Sequence, residues 1–387
     1  MGKDSPRHLK GTPRQSFRKL RELSVVEGVL GFLLPAVFLF SGTAHGLRDV
    51  LPDAFLVRVA LYTIIAVAIY CIFYIPFFLY KNILLPRPSG QSVHPCKGLL
   101  IDQLKILGLG TGAAVLLVVA VYSLMSLFAA TWWLWAGLFI AALSFFLTKT
   151  TPSLILPLFV ETHRLPDASL TGRLKDLGRR AGVRIDGVFS TGEKGRTFLT
   201  GITLLGTGNS QRIVLDPEVM RKCTPEEIES VVAHEMGHCR HSDILRIMLI
   251  QSCFIISAFF VTHLVLIKLS APLGFSGLAD IANLPLVILT MEACFFLVSP
   301  LLRAYNRHLE TAADIFALRL TANPAAFITA ITKLTGNNRD EAPPTRWEEW
   351  FFFDHLPLCK RTAMAKLFVK NEGIFAVDNP GLIAGTN

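Results

Sequence analysis

The sequence predicts a polytopic, mostly α-helical membrane protein with a small α+β segment outside the bilayer. Three observations predict this class: the composition, the length of the apolar runs, and a long polar segment, 150–246, between the fourth and fifth runs. Hydrophobic residues make up 52% of the 387 residues and charged residues only 17%, a balance that soluble globular domains rarely have. Lipid is therefore expected to be the main solvent of this chain.

Apolar runs long enough to span a bilayer recur along the chain, since a spanning helix needs about 20 apolar residues. About six spans, or seven, are predicted, and the first run is the weakest because Glu27 and Pro35 interrupt it. Gly108, Gly110 and Gly112 predict close helix packing in the third run, and His263 in the fifth predicts an interhelical hydrogen bond. The runs are 26–46, 57–80, 104–126, 130–149, 247–269 and 281–302.

Lysine and arginine concentrate in alternate loops and so predict the orientation. Residues 1–22 carry seven of them, whereas loops 127–129 and 270–280 carry none. By the positive-inside rule, both termini and segment 150–246 are cytoplasmic, in the plasma membrane if the protein is bacterial or the endoplasmic reticulum if it is eukaryotic. These flanks account for the net charge of +9 and favour the lipid bilayer, not nucleic acid, as partner.

The periodicity divides the chain further. Residues 169–181 have helical spacing, and 183–189, 196–205 and 211–216 have strand character, so a small sheet is predicted before the fifth span. The expected domains are a basic tail 1–25, four spans 26–150, an extramembrane segment 151–246, a hairpin of spans 247–302, and a second cytoplasmic segment 303–387.

Residues 234–238, His-Glu-Met-Gly-His, match the pattern H-E-x-x-H. On a helix, His234 and His238 lie one above the other and can reach one metal ion. Glu235 lies close enough to take a proton from a water on the metal without occupying a coordination site. Thr224, Pro225 and Glu227 form an N-cap, first-turn proline and capping box before the motif, so the sequence predicts the helix and a zinc hydrolase centre.

A catalytic zinc keeps three protein ligands, so a third ligand is required. A metzincin would have Gly at position 241 and His at 244, but the chain has His241 and Ile244. The thermolysin-like (gluzincin) arrangement takes a glutamate from a later helix, and Glu310 fits it. Asp314, one turn further on, can accept a hydrogen bond from a ligand histidine.

On these residues the chain resembles the membrane zinc endopeptidases that include the type I CAAX prenyl proteases and the HtpX-like proteases. Their later motif, S-R-x-x-E-x-x-A-D, corresponds to residues 306–314 and contains Arg307, Glu310 and Asp314. The resemblance implies a zinc metalloendopeptidase with one Zn²⁺ per chain. Four stretches are similar to the prenyl protease branch: 102–105, 132–136, 152–159 and 212–216.

Two motifs of the family are altered. An N-A-[FY] stretch that aligns substrate on the edge strand is replaced by Arg196-Thr197-Phe198, and the terminal S-H-P-x-x-x-x-R motif retains only His355 and Arg361 of its polar residues. The resemblance implies that His355 donates to the developing oxyanion and that Arg361 and Arg307 support the site. A guanidinium at position 196 would favour acidic or free-carboxylate peptides.

Three functions remain open on the sequence. A prenyl protease-like enzyme would cleave a lipidated or membrane-embedded peptide or protein, an HtpX-like protease would degrade damaged membrane proteins, and a non-catalytic protein would merely bind metal. The intact Glu235 disfavours the last.

Overall fold

The computed structural model describes residues 13–80, 96–151, 160–192, 201–207, 210–335 and 345–378. The chain divides into two units. One, the helical unit, comprises Met1–Ala141 and Gln251–Leu297, and the other, the mixed unit, comprises Ala142–Ile250 and Val298–Asn387.

Six helices among the described residues are long and apolar enough to cross a membrane, as predicted. Residues 303–321 extend the last of them without a break. The helices before the sheet are α1 (Pro13–Phe40), α2 (Thr43–Val50), α3 (Phe55–Leu79), α4 (Cys96–Leu127) and α5 (Trp132–Thr150), and those after it include α9 (Asp243–Leu269) and α10 (Leu284–Thr321).

Polar contacts at helix ends organise the core of the helical unit. Tyr122 donates to Asn283 Oδ1 at 2.5 Å, and Trp132 Nε1 donates to His263 Nδ1 at 3.0 Å, which confirms the interhelical hydrogen bond predicted for His263. All four side chains are buried. Because a buried polar group without a partner is costly, these bonds specify which helix ends meet.

Close helix packing occurs at a glycine other than those predicted. A Cβ on Gly137 of α5 would lie 2.6 Å from Ile256 Cγ1 of α9, so the two helices can approach only because that atom is absent. Gly108, Gly110 and Gly112 have no atom within 4 Å of a built Cβ. The packing prediction for these glycines was wrong, because spacing shows which residues share a helix face but not whether that face meets another helix.

The mixed unit contains a four-stranded sheet of order β1-β2-β4-β3. The β2 and β4 strands are parallel, and the other two pairs are antiparallel. Ile213 of β4 lies between Val188 of β2 and Leu204 of β3. The strands are β1 (Thr162–Arg164), β2 (Ile185–Thr191), β3 (Ile202–Thr207) and β4 (Ser210–Leu215). Residues 193–200, the first part of the strand predicted at 196–205, lie outside the described residues.

Helices cover this sheet and complete its core. Leu174 and Leu177 pack with Ile213, Val232 and Met236, all of them fully buried. The helices of the unit are α6 (Ala168–Ala181), α7 (Pro217–Lys222), α8 (Pro225–His241), α11 (Pro324–Leu334), α12 (Arg346–Phe352) and α13 (Leu358–Asp378).

Local signals determine where α8 begins and ends. Thr224 and Glu227 form the predicted capping box, in which Glu227 N donates to Thr224 Oγ1 and Thr224 N donates to Glu227 Oε2. Lys333 of α11 also donates to Glu227 Oε2, at 2.7 Å. Ser242 adopts a left-handed conformation with φ 55° and ends the helix.

Gly237 allows α8 to approach α10. A Cβ at this position would lie 3.1 Å from Ala313 Cα, closer than ordinary contacts. Gly237, the fourth residue of the motif, thus has a packing role. It lets the helix that carries His234 and His238 lie against the helix that carries Glu310.

Candidate metal centre

The ring nitrogens of two histidines and one carboxylate converge between α8 and α10. Glu310 Oε2 lies 3.4 Å from His234 Nε2, and Glu310 Oε1 lies 3.5 Å from His238 Nε2. The two Nε2 atoms are 3.2 Å apart. Within the described residues, these three side chains form a group whose ligand atoms all lie within 4.8 Å of one another, and two imidazoles with one carboxylate are a donor set that suits catalytic zinc.

The Nδ1–H group of each motif histidine donates a hydrogen bond to a buried aspartate. His234 Nδ1 lies 2.8 Å from Asp314 Oδ1, and His238 Nδ1 lies 2.9 Å from Asp243 Oδ2. A proton on each Nδ1 leaves the Nε2 lone pairs facing the centre of the group, the tautomer that a metal requires. The arrangement therefore fits a metal ion, both in its donors and in the groups behind them.

Asp243 is a site residue that the sequence analysis missed. It begins α9, directly after the left-handed turn at Ser242, and this turn brings its carboxylate back towards His238. Its side chain is 2% exposed. An acidic residue five positions after the second motif histidine is the signal that could have indicated it, but such a residue faces the histidine only if the helix ends between them.

The carboxylates also change the proton affinity of the histidines. Burial lowers the pKa of His234, but hydrogen bonds to Asp314 and Glu310 outweigh burial and raise this pKa to about 9. The pKa of His238 is raised as well, since hydrogen bonds to Glu310 and Asp243 outweigh burial. A metal ion that binds these nitrogens therefore competes with protons, so metal affinity should fall as the pH falls.

Glu235 has the environment of a general base. Burial raises the pKa of its carboxyl group, although the neighbouring His234 and His238 act in the opposite direction. Its charge also interacts with Glu310 and His355. A carboxylate with a raised pKa can accept a proton from water and release it again, which a carboxylate with an ordinary pKa does less readily.

The segment from 353 to 361 reaches the same group from the carboxyl-terminal side. His355 Nδ1 lies 2.9 Å from Glu310 Oε2, and the His355 side chain is 71% exposed. Arg361 donates to both oxygens of Asp314, through Nε at 2.8 Å and Nη2 at 2.5 Å. The structure thus brings both residues of the altered terminal motif to the predicted ligands and their supports.

Arg307 of α10 binds the backbone of the segment before His355. Its Nη1 donates to the carbonyl oxygens of Glu349 and Phe353, both at 2.9 Å. This buried guanidinium holds the backbone just before His355, so it acts on the site through the position of the loop. Arg196 lies outside the described residues.

Two family models cover most of the chain. The model described as "CAAX prenyl protease N-terminal, five membrane helices" matches residues 13–161. The model described as "Peptidase family M48" matches residues 186–367 and so contains every residue of the candidate metal centre.

The relatives of this chain are named as metalloproteases, HtpX proteases or CAAX prenyl proteases. An "Uncharacterized metalloprotease YhfN" of Bacillus subtilis is 26% identical over 61% of this chain and 56% of its own length. A "Protease HtpX homolog 1" of Streptomyces coelicolor is 34% identical over 31% of this chain and 38% of its own length. A "CAAX prenyl protease 1 homolog" of Oryza sativa is 25% identical over 74% of this chain and 68% of its own length. The chain thus spans less than two thirds of the first two relatives.

The fold also has a solved counterpart. The crystal structure of S. mikatae Ste24p superposes with a TM-score of 0.76 at 18% identity, over 93% of this chain and 91% of that one. This likeness concerns the fold. Together with the two family models, the six apolar helices and the His-Glu-x-x-His helix, it leads to one conclusion: the chain is an integral membrane protein whose residues 186–367 belong to peptidase family M48 and follow an amino-terminal part of the CAAX prenyl protease type.

Proposed function

We propose that this protein is a zinc metalloendopeptidase that hydrolyses peptide bonds at a membrane, with one Zn²⁺ per chain held by His234, His238 and Glu310. One observation carries the proposal: three ligand atoms converge within 4.8 Å, and each ligand histidine donates its remaining ring nitrogen to a buried aspartate. A purely structural cluster has no need to keep two imidazole lone pairs directed at one point.

The residues around the group have distinct tasks in this reaction. A Zn²⁺ ion held there supplies Lewis acidity to the scissile carbonyl and lowers the pKa of water towards about 7. Glu235 takes the proton of the attacking water and delivers it to the leaving amine. His355, exposed and within hydrogen-bond distance of Glu310, donates to the oxyanion of the tetrahedral intermediate. Asp243, Asp314 and Arg361 keep the ligand histidines oriented.

The sheet provides a place for an extended peptide. The β3 strand stands at an edge of the described sheet and packs against α8, the helix of the metal ligands. A substrate can add to that edge as a further strand, because main-chain hydrogen bonds do not depend on side-chain identity. Arg196, just before β3, would then favour peptides with an acidic side chain or a free carboxylate.

The favoured substrate is a lipidated peptide or protein. The family model that matches residues 13–161 is that of the amino-terminal part of CAAX prenyl proteases, and the rice match, which carries the same name, covers 74% of this chain. An HtpX-like quality-control role is the second candidate, favoured by the higher identity, 34%, of the Streptomyces relative. The third candidate is metal binding without catalysis. It is disfavoured because it gives no role to the buried Glu235 carboxyl group beside the two histidines.

A comparison of two matched peptides tests these candidates. Purified protein in detergent is incubated with a farnesylated peptide and with its unlipidated twin, and Glu235→Gln serves as the inactive control. Faster cleavage of the farnesylated peptide supports the prenyl protease-like function. Equal cleavage of both favours the HtpX-like function, and no cleavage by a metal-loaded protein contradicts the peptidase proposal.

We also propose that the metal centre faces the cytoplasm, on the charge asymmetry between alternate loops. Single cysteines introduced at Ala271 and at Ser169, both exposed, are labelled with an impermeant reagent in intact cells. Ala271→Cys should react from outside and Ser169→Cys should not. The reverse pattern would place the metal centre on the outer side.

A further inference from the structure

Helix α12 presents an exposed aromatic face that has no part in the proposed hydrolysis. Trp347 is 68% exposed and Trp350 is 50% exposed. The Trp347 ring contacts Phe351 with ring centroids 4.2 Å apart and the planes tilted by 42°, and Trp350 lies on the same helix face, three residues after Trp347, so the aromatic groups form a patch. Indole rings are large and apolar but carry one N–H donor, and they concentrate where a hydrocarbon phase meets water.

Most other exposed apolar side chains of the mixed unit lie on helices that are long enough to span a membrane. In the described part of this unit, lipid covers the large exposed apolar residues on those helices. Those residues are Phe145, Phe146 and Leu147 of α5, Ile244, Leu245, Leu249 and Ile250 of α9, and Leu301 of α10. Apart from the tryptophans, the remaining ones are Leu334 and Leu367.

Two arginines of α10 attach the α12 segment next to one of these lipid-covered positions. Arg307 Nη1 binds the carbonyl oxygens of Glu349 and Phe353, and Arg303 Nη1 lies 2.6 Å from Asp354 Oδ1. At about 1.5 Å of rise per residue, Arg303 and Arg307 lie roughly 3 and 9 Å along the helix axis from exposed Leu301. The carboxyl-terminal end of α12 is therefore attached to α10 just after Leu301, the last large exposed apolar side chain described on that helix.

The charges of the segment suit a membrane surface. Glu348 is occupied in the capping box with Thr345, and the Glu349 carboxylate accepts from Lys360 at 2.6 and 2.7 Å. Arg346, beside Trp347, is exposed. The acidic groups are thus engaged within the protein, and an exposed cation stands next to the aromatic patch, where it can attract lipid phosphate.

We propose that α12 is an interfacial membrane anchor, in which Trp347 and Trp350 lie at the boundary between headgroups and acyl chains of the bilayer that the protein spans. The loop from Phe353 to Pro357 follows α12 directly and carries His355 to Glu310. The anchor and the two arginines therefore hold the amino-terminal side of this loop, up to Asp354, and the bilayer itself contributes to the position of His355.

Brominated lipids test the anchor independently of any activity. The protein is reconstituted in nanodiscs whose phosphatidylcholine carries bromine near the headgroup or deep in the acyl chain, and tryptophan emission is compared with that of Trp347→Phe/Trp350→Phe. The difference between the two proteins isolates the emission of α12 from that of the other three tryptophans. We expect this difference to be quenched strongly by the shallow bromine and weakly by the deep one.

The opposite results would overturn the anchor. If aqueous iodide quenches the difference emission and brominated lipid does not, the patch faces water. If neither quencher acts, protein covers the patch, either a second copy or another partner.

A kinetic measurement, which rests on the proposed peptidase function, tests the link to His355. Trp347→Ser/Trp350→Ser in nanodiscs should lower kcat about 10-fold on both lipidated and unlipidated peptides, less than the ~10²-fold that a full 1 Å misplacement can cost, with metal content unchanged. Leu334→Ser, an exposed apolar position on α11, is the matched control and should leave kcat unaltered. A rise in KM for the lipidated peptide alone would instead make the patch a substrate site and contradict the anchor. If the wild-type protein has no peptidase activity, the proposed function fails and the quenching result stands by itself.

Discussion

Buried polar groups in the helical unit and in the mixed unit are arranged by different rules. In the helical unit, buried polar side chains pair where helix ends meet: Tyr122 donates to Asn283 Oδ1, and Asp280 accepts from Arg48 Nη1, Ser276 N and Ala282 N. These bonds stabilise the helix ends, because a buried polar atom left without a partner costs about 1–3 kcal/mol.

In the mixed unit two histidines each direct one ring nitrogen at the same carboxylate, that of Glu310. Their Nδ1 atoms are bonded to Asp314 and Asp243, whereas the Nε2 atoms face each other and Glu310 at 3.2–3.5 Å. The contrast teaches that a candidate metal centre is recognised by donor atoms of several side chains that converge on one point. The helix-end contacts pair donors with acceptors, whereas two imidazole nitrogens and one carboxylate crowd together where a metal ion could be held.

Glu310→Ala should have the largest effect. It removes one of three ligands, and we expect loss of the metal and of all hydrolysis, measured by metal analysis of the purified protein and by peptide cleavage. Glu218→Ala, which removes a carboxylate that pairs with Lys222 on α7, is the matched control and should retain both. Full metal occupancy in Glu310→Ala would exclude Glu310 from the ligand set.

Glu235→Gln should separate chemistry from metal binding. The amide keeps the shape of the side chain but cannot accept a proton, so kcat should fall about 10²–10⁴-fold while the metal content stays at the wild-type value. Turnover close to wild type by this metal-loaded variant would rule out the general-base role. Loss of metal instead would make Glu235 part of the ligand set.

A pair of aspartate variants compares the two units directly. Asp243→Asn weakens the acceptor behind His238, so metal affinity should fall about 10- to 100-fold, as measured in competition with a chelator. Asp280→Asn weakens the acceptor behind Arg48 and should lower the unfolding temperature with unchanged metal affinity. If both variants lower metal affinity equally, the distinction between the two clusters is wrong.

Tyr122→Phe should have the smallest effect. It removes the hydroxyl group that donates to the buried Asn283 Oδ1. Loss of this hydrogen bond should lower the free energy of unfolding by about 0.6–1.5 kcal/mol. Unfolding in a denaturing detergent measures this change. Metal content and cleavage rate should equal the wild-type values, and a change in either would show that the helical-unit cluster affects the metal centre.

Much of the candidate site could be predicted from local pattern. His234, Glu235 and His238 share one helix turn, so their proximity follows from helix geometry alone. Glu310 and Asp314 are likewise one turn apart, and their motif identified them without knowledge of how α8 meets α10. Arg361 and His355 were identified through the resemblance, and the structure brings both to the same group.

The residues that were missed or only partly understood depend on chain reversals. Asp243 reaches His238 because Ser242 ends α8 in a left-handed turn, and a left-handed serine has no reliable sequence signal. Arg307 looked like a site residue, yet it binds carbonyl oxygens of the α12 segment. A hydrogen bond to backbone leaves no trace in the side-chain pattern of its partner.

The sequence by itself predicted the spanning helices and the proximity of His234 and His238 on α8, because hydropathy and helical spacing act over a few consecutive turns. Its later motif also indicated Glu310 as the proposed third ligand. Only the tertiary structure decided that Gly137, and not the glycines of α4, brings two helices together, that Asp243 supports His238, and that α12 turns its tryptophans outward beside α10. These outcomes depend on which surfaces meet after the chain has folded, and packing of that kind is decided by atoms distant in sequence.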